Sequence, residues 1–440
     1  MTHRKVGGRW AGDGAPRTKV HHFVYRDGVL HAEDASLEAI AAEVGTPFYC
    51  YSEATLRRHA RVFLAAFKGL DVLAAYSVKA NSNLAVIRVL ASEALGADVV
   101  SGGELMRALA AGVAPSKIVF SGVGKTRDEM ALALDKGIYQ FNVESAGELD
   151  ALNEIALAKS TRAAVAFRVN PDVKAGGHDK ISTGKSEDKF GVPLARAREL
   201  YAKAAALRGI AITGVDLHIG SQVSELAPFE AAFGKAADLV RELRRAGHPI
   251  ERLDLGGGLG IPYGDAKDPP HPDDYAALIR KIAAPLDVRL ILEPGRMIVG
   301  NAGVLVARVL YDKEGAARRF LIVDAGMNDL IRPALYDAFH AILPVREAAP
   351  GAPRVEYDVV GPVCESSDRF AKGRNLPVMR AGDLVAFMTA GAYGAVQASQ
   401  YNTRALVPEI LVSGARFAVI RKRPTFADMI AGERLPEWLR

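Results

Sequence analysis

The sequence predicts a two-domain α/β architecture: a (β/α)8 barrel followed by a mostly antiparallel β domain. Three observations predict it. From about residue 45, short β-like runs alternate with longer helical stretches, the pattern of parallel strands joined by crossover helices. The β-like runs number eight, enough to close a barrel. After about residue 303 the long helical stretches give way to closely spaced β-like runs, which suits antiparallel pairing. An open, doubly wound sheet is the rival for the first domain, and the eight regular repeats favour closure.

In chain order, residues 1–20 form a Gly-rich basic tail, with Arg4, Lys5, Arg9, Arg17 and Lys19 against Asp13 alone. It has no apolar core of a secretory signal, so it reads as a disordered extension or a transit peptide. Residues 21–44 contain 22-HFVYRDGVLHAE-33, two strand-like halves around an Arg-Asp-Gly turn, and are expected to join the β domain. The barrel is expected over 45–302. Its strands are 72-VLAAYSVKA-80, 97-ADVVS-101, 117-KIVFSG-122, 139-YQFNVE-144, 163-AAVAFRVN-170, 211-AITGVDLHIG-220, 251-ERLDLGG-257 and 287-DVRLILEPG-295. Stretches such as 53-EATLRRHARVFLAAF-67 and 229-FEAAFGKAADLVRELRRAG-247 carry apolar residues near a 3.6-residue period and read as helices. The β domain is expected over 303–440, with strand-like runs at 303–311, 319–326, 355–361, 383–389 and 408–414.

Composition excludes several classes. Of 440 residues, 49% are hydrophobic and 24% charged, and the net charge is +5. Most of that excess sits in the tail, so neither nucleic acid nor a membrane surface is an expected partner. No apolar run reaches the ~18 residues that span a bilayer. The only cysteines, Cys50 and Cys364, offer neither a disulfide framework nor metal-ligand spacing, so no metal is expected. A reducing cytoplasm is the default compartment.

Barrel enzymes build their sites from strand C-terminal ends and the loops that follow. The first strand ends at Lys79, either a lysine reaching solvent or an amine kept neutral and nucleophilic. The sixth runs into His218, a structural histidine or one that stacks on a flat ring. The seventh runs into Gly256, Gly257 and Gly258, whose bare N–H groups are expected to approach an anion, phosphate above all. The eighth delivers Glu293, able to hold a proton on a ring nitrogen, and Arg296, able to grip a phosphate or carboxylate. Each feature alone has a structural reading, but a lysine, a ring-facing histidine, a glycine cradle and a carboxylate together describe a pocket for pyridoxal 5′-phosphate (PLP).

These residues carry a family resemblance. The chain resembles the fold-type III, alanine-racemase-like PLP-dependent decarboxylases, and among them those acting on diaminopimelate. The matching stretches are 76-YSVKAN-81, 101-SGGEL-105, 217-LHIGSQ-222, 255-LGGGLG-260, 293-EPGR-296, 332-RPALYDAFH-340, 361-GPVCESSD-368 and 391-GAYG-394, within about residues 22–430. The resemblance implies an alanine-racemase-like β-barrel or sandwich for the C-terminal domain. It implies that Lys79 carries the cofactor covalently and that His218 stacks on its ring. Ser221, Gly256, Gly257, Gly258 and Tyr393 would contact its phosphate, beside Gly295 and Arg296, and Glu293 would face the ring nitrogen. Arg296, Arg332, Tyr336, Glu365 and Tyr393 would hold substrate, and Cys364 would return the proton. Cys364 and Glu365 would come from a neighbouring copy, making the enzyme a homodimer. One stretch departs from the family pattern: 395-AVQASQYNTRALVPEILV-412 lacks the usual Ser-Asn before Tyr401-Asn402 and the usual Arg-Pro after it.

The expected reaction is decarboxylation of meso-2,6-diaminopimelate to L-lysine, the last step of lysine biosynthesis. A carboxylate at 293 keeps the ring nitrogen protonated and so favours loss of CO2; an arginine there would leave a poorer electron sink and favour racemisation. The alternatives are an ornithine- or arginine-type decarboxylase, a racemase, and a non-catalytic decarboxylase-like regulator. The last has no need of Lys79, His218, the three glycines and Cys364 together.

Overall fold

The computed structural model describes residues 21–174, 189–264 and 268–439; the basic tail 1–20 lies outside the described residues. The chain divides into two compact units, one holding Leu56–Gly300 and the other His21–Thr55 with Asn301–Arg440.

The first unit is a closed parallel barrel. Its strands are β1 (Val72–Ser77), β2 (Gly96–Val99), β3 (Ile118–Phe120), β4 (Gln140–Val143), β5 (Ala163–Asn170), β6 (Ile210–Asp216), β7 (Arg252–Asp254) and β8 (Arg289–Leu292). Each pairs in parallel with the next, and β8 closes on β1 with Leu290 opposite Val72 and Leu292 opposite Ala74. All eight lie within or overlap the runs legible in the sequence. They are legible because parallel strands buried on both faces read as unbroken apolar runs.

Helix starts are marked by side-chain caps. Asn83, Ser101 and Ser145 each accept a backbone N–H of the first turn, and Thr126 and Glu129 form a capping box. The longest helix, Ala227–Arg245, buries Phe229, Phe233, Ala236, Val240 and Leu243, spaced by three and four residues as one helical face requires.

Strand periodicity sets what fills the barrel. Leu73, Ala75, Val119 and Ile291 form an apolar cluster. Two residues on, the same alternation brings up Ser77, Ser121 and Glu293, all buried. The interior therefore changes from apolar to polar toward the strand C-terminal ends.

The second unit is a mixed, mostly antiparallel β structure. Its central strand is β9 (Gly303–Glu314), followed by β10 (Arg319–Val323), β11 (Ile342–Pro344), β12 (Arg354–Val360), β13 (Arg369–Pro377), β14 (Leu384–Phe387), β15 (Glu409–Ser413) and β16 (Arg416–Arg421). The first half of β9 pairs antiparallel with β14 and with the strand Phe48–Ser52; its second half pairs antiparallel with β10. Two pairings are parallel, β10 with β12 and β15 with Phe48–Ser52.

One boundary differs from the sequence reading, which begins the barrel at 45. The strand Phe48–Ser52 lies between β9 and β15, and the first unit begins at Leu56. Residues 21–44 also belong to the second unit. The strands Phe23–Arg26 and Val29–Ala32 form a hairpin whose two-residue turn, Asp27-Gly28, has both φ angles positive (49° and 74°), as a type I′ turn requires. Phe23, Leu30, Leu37 and Ile40 share a core with Phe48, Cys50, Val304, Val306, Ile410 and Val412.

Two glycines test the packing of the barrel. A Cβ at Gly96 would lie 2.2 Å from the Lys117 carbonyl oxygen, whereas one at Gly234, inside the long helix, would meet nothing within 4 Å. G96A should destabilise the barrel by about 2 kcal/mol or more, since backbone must move. G234A should be neutral or stabilise by up to about 1 kcal/mol. Denaturant unfolding of both variants beside the parent chain checks the pair.

Candidate active site

In the first unit, Lys79 sits in a single 3-10 turn (Val78–Ala80) directly after β1. Its Nζ donates to Asp98 Oδ2 at 2.9 Å, and its side chain is 36% exposed while Asp98 is fully buried. The same oxygen accepts from Ser77 Oγ at 2.9 Å. Glu104, on the helix opened by the Ser101 cap, accepts the Val100 N–H at 2.9 Å. Burial, with some help from the Asp98 charge, pushes its carboxyl up to about 7.

His218 follows β6. Its Nδ1 accepts the Gly257 N–H at 3.2 Å, which leaves the proton on Nε2. Burial, with Arg168 and Lys79 nearby, holds its pKa well below the ordinary value, so the ring is neutral. Two of the three glycine N–H groups are engaged within the protein: Gly257 donates to His218 and Gly256 to Asp254 Oδ1 at 2.9 Å. The expectation that they stand bare therefore does not hold for these two. Close approach is what requires glycine here. A Cβ would lie 2.6 Å from the Leu217 carbonyl oxygen at Gly256, 2.2 Å from that of Glu293 at Gly257, and 2.5 Å from that of Gly220 at Gly258. The φ angles of Gly256 and Gly258 are also positive, 62° and 108°.

Arg296 is buried, and its guanidinium donates to Ser221 Oγ at 3.0 Å and Tyr263 Oη at 2.9 Å. Gly295 packs close to β1, where a Cβ would lie 3.0 Å from that of Ser77. Glu293 is buried at the end of β8 and accepts from Ser121 Oγ at 3.3 Å and Asn142 Nδ2 at 3.5 Å. Burial raises its carboxyl well above the ordinary range; Asp254 and Asp98 raise it further, while Lys79 and Arg168 oppose them.

Asp98, Asp216 and Asp254 form part of this buried polar layer and are absent from the sequence reading. A signal existed for each: a lone acid inside an apolar strand, in 97-ADVV-100, 215-VDL-217 and 253-LDL-255. Such a residue is costly unless paired or protonated.

The second unit holds the remaining candidates. Arg332 is buried and donates to His340 Nε2 at 3.0 Å, and His340 Nδ1 in turn bonds the Met388 carbonyl at 2.8 Å. Tyr336 Oη accepts from Gln397 Nε2 at 3.3 Å. Tyr393 has a positive φ of 55°. The 361–368 loop is held by Asp368, whose carboxylate accepts the N–H groups of Met327 and Val363, each at 2.6 Å. Cys364 is exposed, and its N–H donates to Asn402 Oδ1 at 3.0 Å. Glu365 accepts from Ser367 and Tyr401, and those two hydroxyls hold its carboxyl below the ordinary range. Each unit thus presents its own share of the expected residues.

The barrel's donor set fits a phosphorylated pyridine aldehyde: an accessible lysine amine, a neutral imidazole, a neutral buried carboxyl and a fixed guanidinium beside a hydroxyl. Residues 53–300 match the family model for pyridoxal-dependent decarboxylases, pyridoxal-binding domain. The diaminopimelate decarboxylase of Zymomonas mobilis is 48% identical over 421 residues, spanning 95% of this chain and 99% of that one. That of Pseudomonas aeruginosa is 49% identical over 413 residues, 94% and 99% of the two chains. The solved diaminopimelate decarboxylase of M. jannaschii, a co-complex with L-lysine, superposes with a TM-score of 0.90 at 38% identity, covering 95% of this chain and 99% of that one. Barrel, β unit and extended sequence identity agree: the chain belongs to the PLP-dependent decarboxylases, in the diaminopimelate decarboxylase family.

Proposed function

We propose that the chain decarboxylates meso-2,6-diaminopimelate to L-lysine with PLP, and that it works as a homodimer. The observation that carries the reading is the barrel layer in which Lys79, His218, Glu293 and Arg296 stand with the hydrogen bonds described above. When bound, PLP supplies an electron sink for the electron pair left as CO2 departs. The chain's own residues do the rest. Lys79 holds the cofactor, with Asp98 as the partner of its amine. His218, neutral and fixed by Gly257, offers a flat face to the ring. Glu293 meets the ring nitrogen and shares one proton with it. Arg296, set by Ser221 and Tyr263, serves the phosphate side or a substrate carboxylate, with Gly295 beside it. Gly256, Gly257, Gly258, Ser221 and Tyr393 are assigned to the phosphate.

The substrate assignment rests on charge. Diaminopimelate differs from ornithine and lysine in carrying a carboxylate as well as an ammonium at its far end. Arg296 and Arg332 suit the first, with Tyr336 and Tyr393 as further donors, and Glu365 suits the second. Cys364 returns a proton to the carbon that lost CO2, which takes a thiol within hydrogen-bond reach. The exposure of Cys364 within its own unit suits service to a second copy. The cytoplasm is proposed as the compartment.

Borohydride treatment of the holoenzyme should leave the cofactor on the peptide containing Lys79; label on another lysine rejects the assignment. The holoenzyme should release CO2 from meso-diaminopimelate far faster than from ornithine, arginine or lysine, and equal rates would reject the specificity.

R332A should lower kcat/KM for diaminopimelate by about tenfold or more while the bound-cofactor absorbance stays. A charge-assisted hydrogen bond contributes roughly 1.5–3 kcal/mol, and a buried partner left unpaired adds to the loss.

K79A and C364A should each be nearly inactive, yet mixing them under subunit exchange should restore up to about a quarter of wild-type activity, because one site of a mixed dimer carries both lesions and the other neither. No recovery with exchange confirmed would place both residues in one chain's site.

A further inference from the structure

The proposed function uses Glu293 but gives no part to two buried carboxyls beside it. Carboxylate oxygens of Asp216, Asp254 and Glu293 all lie within 4.8 Å of one another. The residues are only 2%, 0% and 5% exposed. Three anions at that spacing, away from water, cannot coexist, so the group holds protons and titrates as a unit.

Hydrogen bonds rank the three. Asp254 has a firm donor on each oxygen, the Gly256 N–H at 2.9 Å on Oδ1 and Asn142 Nδ2 at 3.0 Å on Oδ2. Glu293 has two long contacts on one oxygen, at 3.3 and 3.5 Å. Asp216 Oδ1 has no partner among the described residues. Donors aimed at a carboxylate favour its charged form. By this ranking Asp254 gives up its proton most readily of the three, and Asp216 and Glu293 hold theirs more firmly.

Other charged or titratable groups act on the group from the surrounding elements. Asp98 on β2 and Glu144 after β4 add negative charge, while Lys79 after β1 and Arg168 on β5 oppose it. His218 after β6 and Tyr275 on the helix Pro272–Ala283 are both neutral, each through burial. Glu293, Asp216 and Asp254 are all raised well above the ordinary carboxylate range, by burial first and by charged neighbours second, and at Asp254 the Asn142 and Gly256 donors act against that rise.

We propose that Asp254 is a positioning residue for Glu293: its fixed negative charge keeps Glu293 a neutral acid in the cofactor-free protein, so the ring nitrogen meets a carboxyl that already holds the proton they share, while Asp216 keeps a second proton and adds no charge. The proposal rests on the placement of Glu293 against the ring nitrogen.

The test is the dissociation constant of PLP measured by absorbance across pH on the full chain. The free cofactor titrates identically in every experiment, so differences between variants isolate the protein's groups. In the wild type, log Kd against pH bends where Glu293 titrates in the free protein, and E293Q should lack that bend. D254N keeps an oxygen to accept the Gly256 N–H but removes the charge. It should move the bend to lower pH by about one unit or more, a tenfold change in proton affinity. D216N mimics a neutral acid and should leave the bend within a few tenths of a unit.

If D254N leaves the bend in place, or D216N moves it as far, the proposal is wrong. A bend that persists in E293Q instead rejects the placement of Glu293 and leaves the Asp254 question to a second measurement, the infrared spectrum of the PLP-free protein. The proposal requires one protonated-carboxyl band that is lost in E293Q and another that is lost in D216N. The infrared comparison also decides the matter if D254N does not fold. Absence of either band overturns the proposal.

Discussion

Closing eight parallel strands into a ring sends one side-chain row of every strand into a space with little water, and the upper row here is acidic. Asp98, Asp216, Asp254 and Glu293 are all at most 5% exposed. Ionised and unpaired, any one of them would weigh heavily against folding. The surrounding chemistry answers that constraint. Lys79 and Ser77 share one oxygen of Asp98, Asn142 and the Gly256 N–H hold Asp254, and Ser121 leans on Glu293. What the donors leave uncompensated is met by protons held within the layer. These bonds and protons together let the barrel bury an acidic layer.

The turn that follows β7 in the first unit is fixed by proximity. The β7–helix turn runs so close to its neighbours that three successive side chains would strike backbone carbonyls. That closeness lets the Gly257 N–H reach His218 and sets which ring nitrogen bears the proton. Glycine here trades conformational freedom for contact. The 361–368 loop reaches order by the opposite route, a buried carboxylate gathering backbone N–H groups from two segments while Cys364 and Glu365 stay at the surface.

Much of this was legible in sequence, for physical reasons. The barrel strands are buried on both faces, so each reads as an apolar run, and a polar residue at the end of such a run stands out; Lys79, His218, Glu293 and Arg296 were all visible that way. The strand Phe48–Ser52 was just as apolar but assigned to the wrong unit, because nothing local marks partners 250 residues away. β13 was missed because Arg369, Lys372, Gly373 and Arg374 break its period-two pattern. The acids Asp98, Asp216 and Asp254 were passed over because each was read within its own strand, and their meaning comes from one another. The glycine N–H groups were expected bare because a sequence shows donors but not the acceptors that folding brings to them.

The pairing of Phe48–Ser52 has a further consequence for the order of assembly. Cys50 lies opposite Val304 on one side and Ile410 on the other. This early strand therefore cannot complete its sheet on a ribosome until nearly the whole chain has emerged, whereas the barrel, contiguous from Leu56 to Gly300, needs nothing later than its own last strand. Long-range strand pairing is slow and leaves sticky edges in the meantime. The nascent chain thus carries an unpaired strand, buried along its whole length in the finished fold, for the entire synthesis of the barrel.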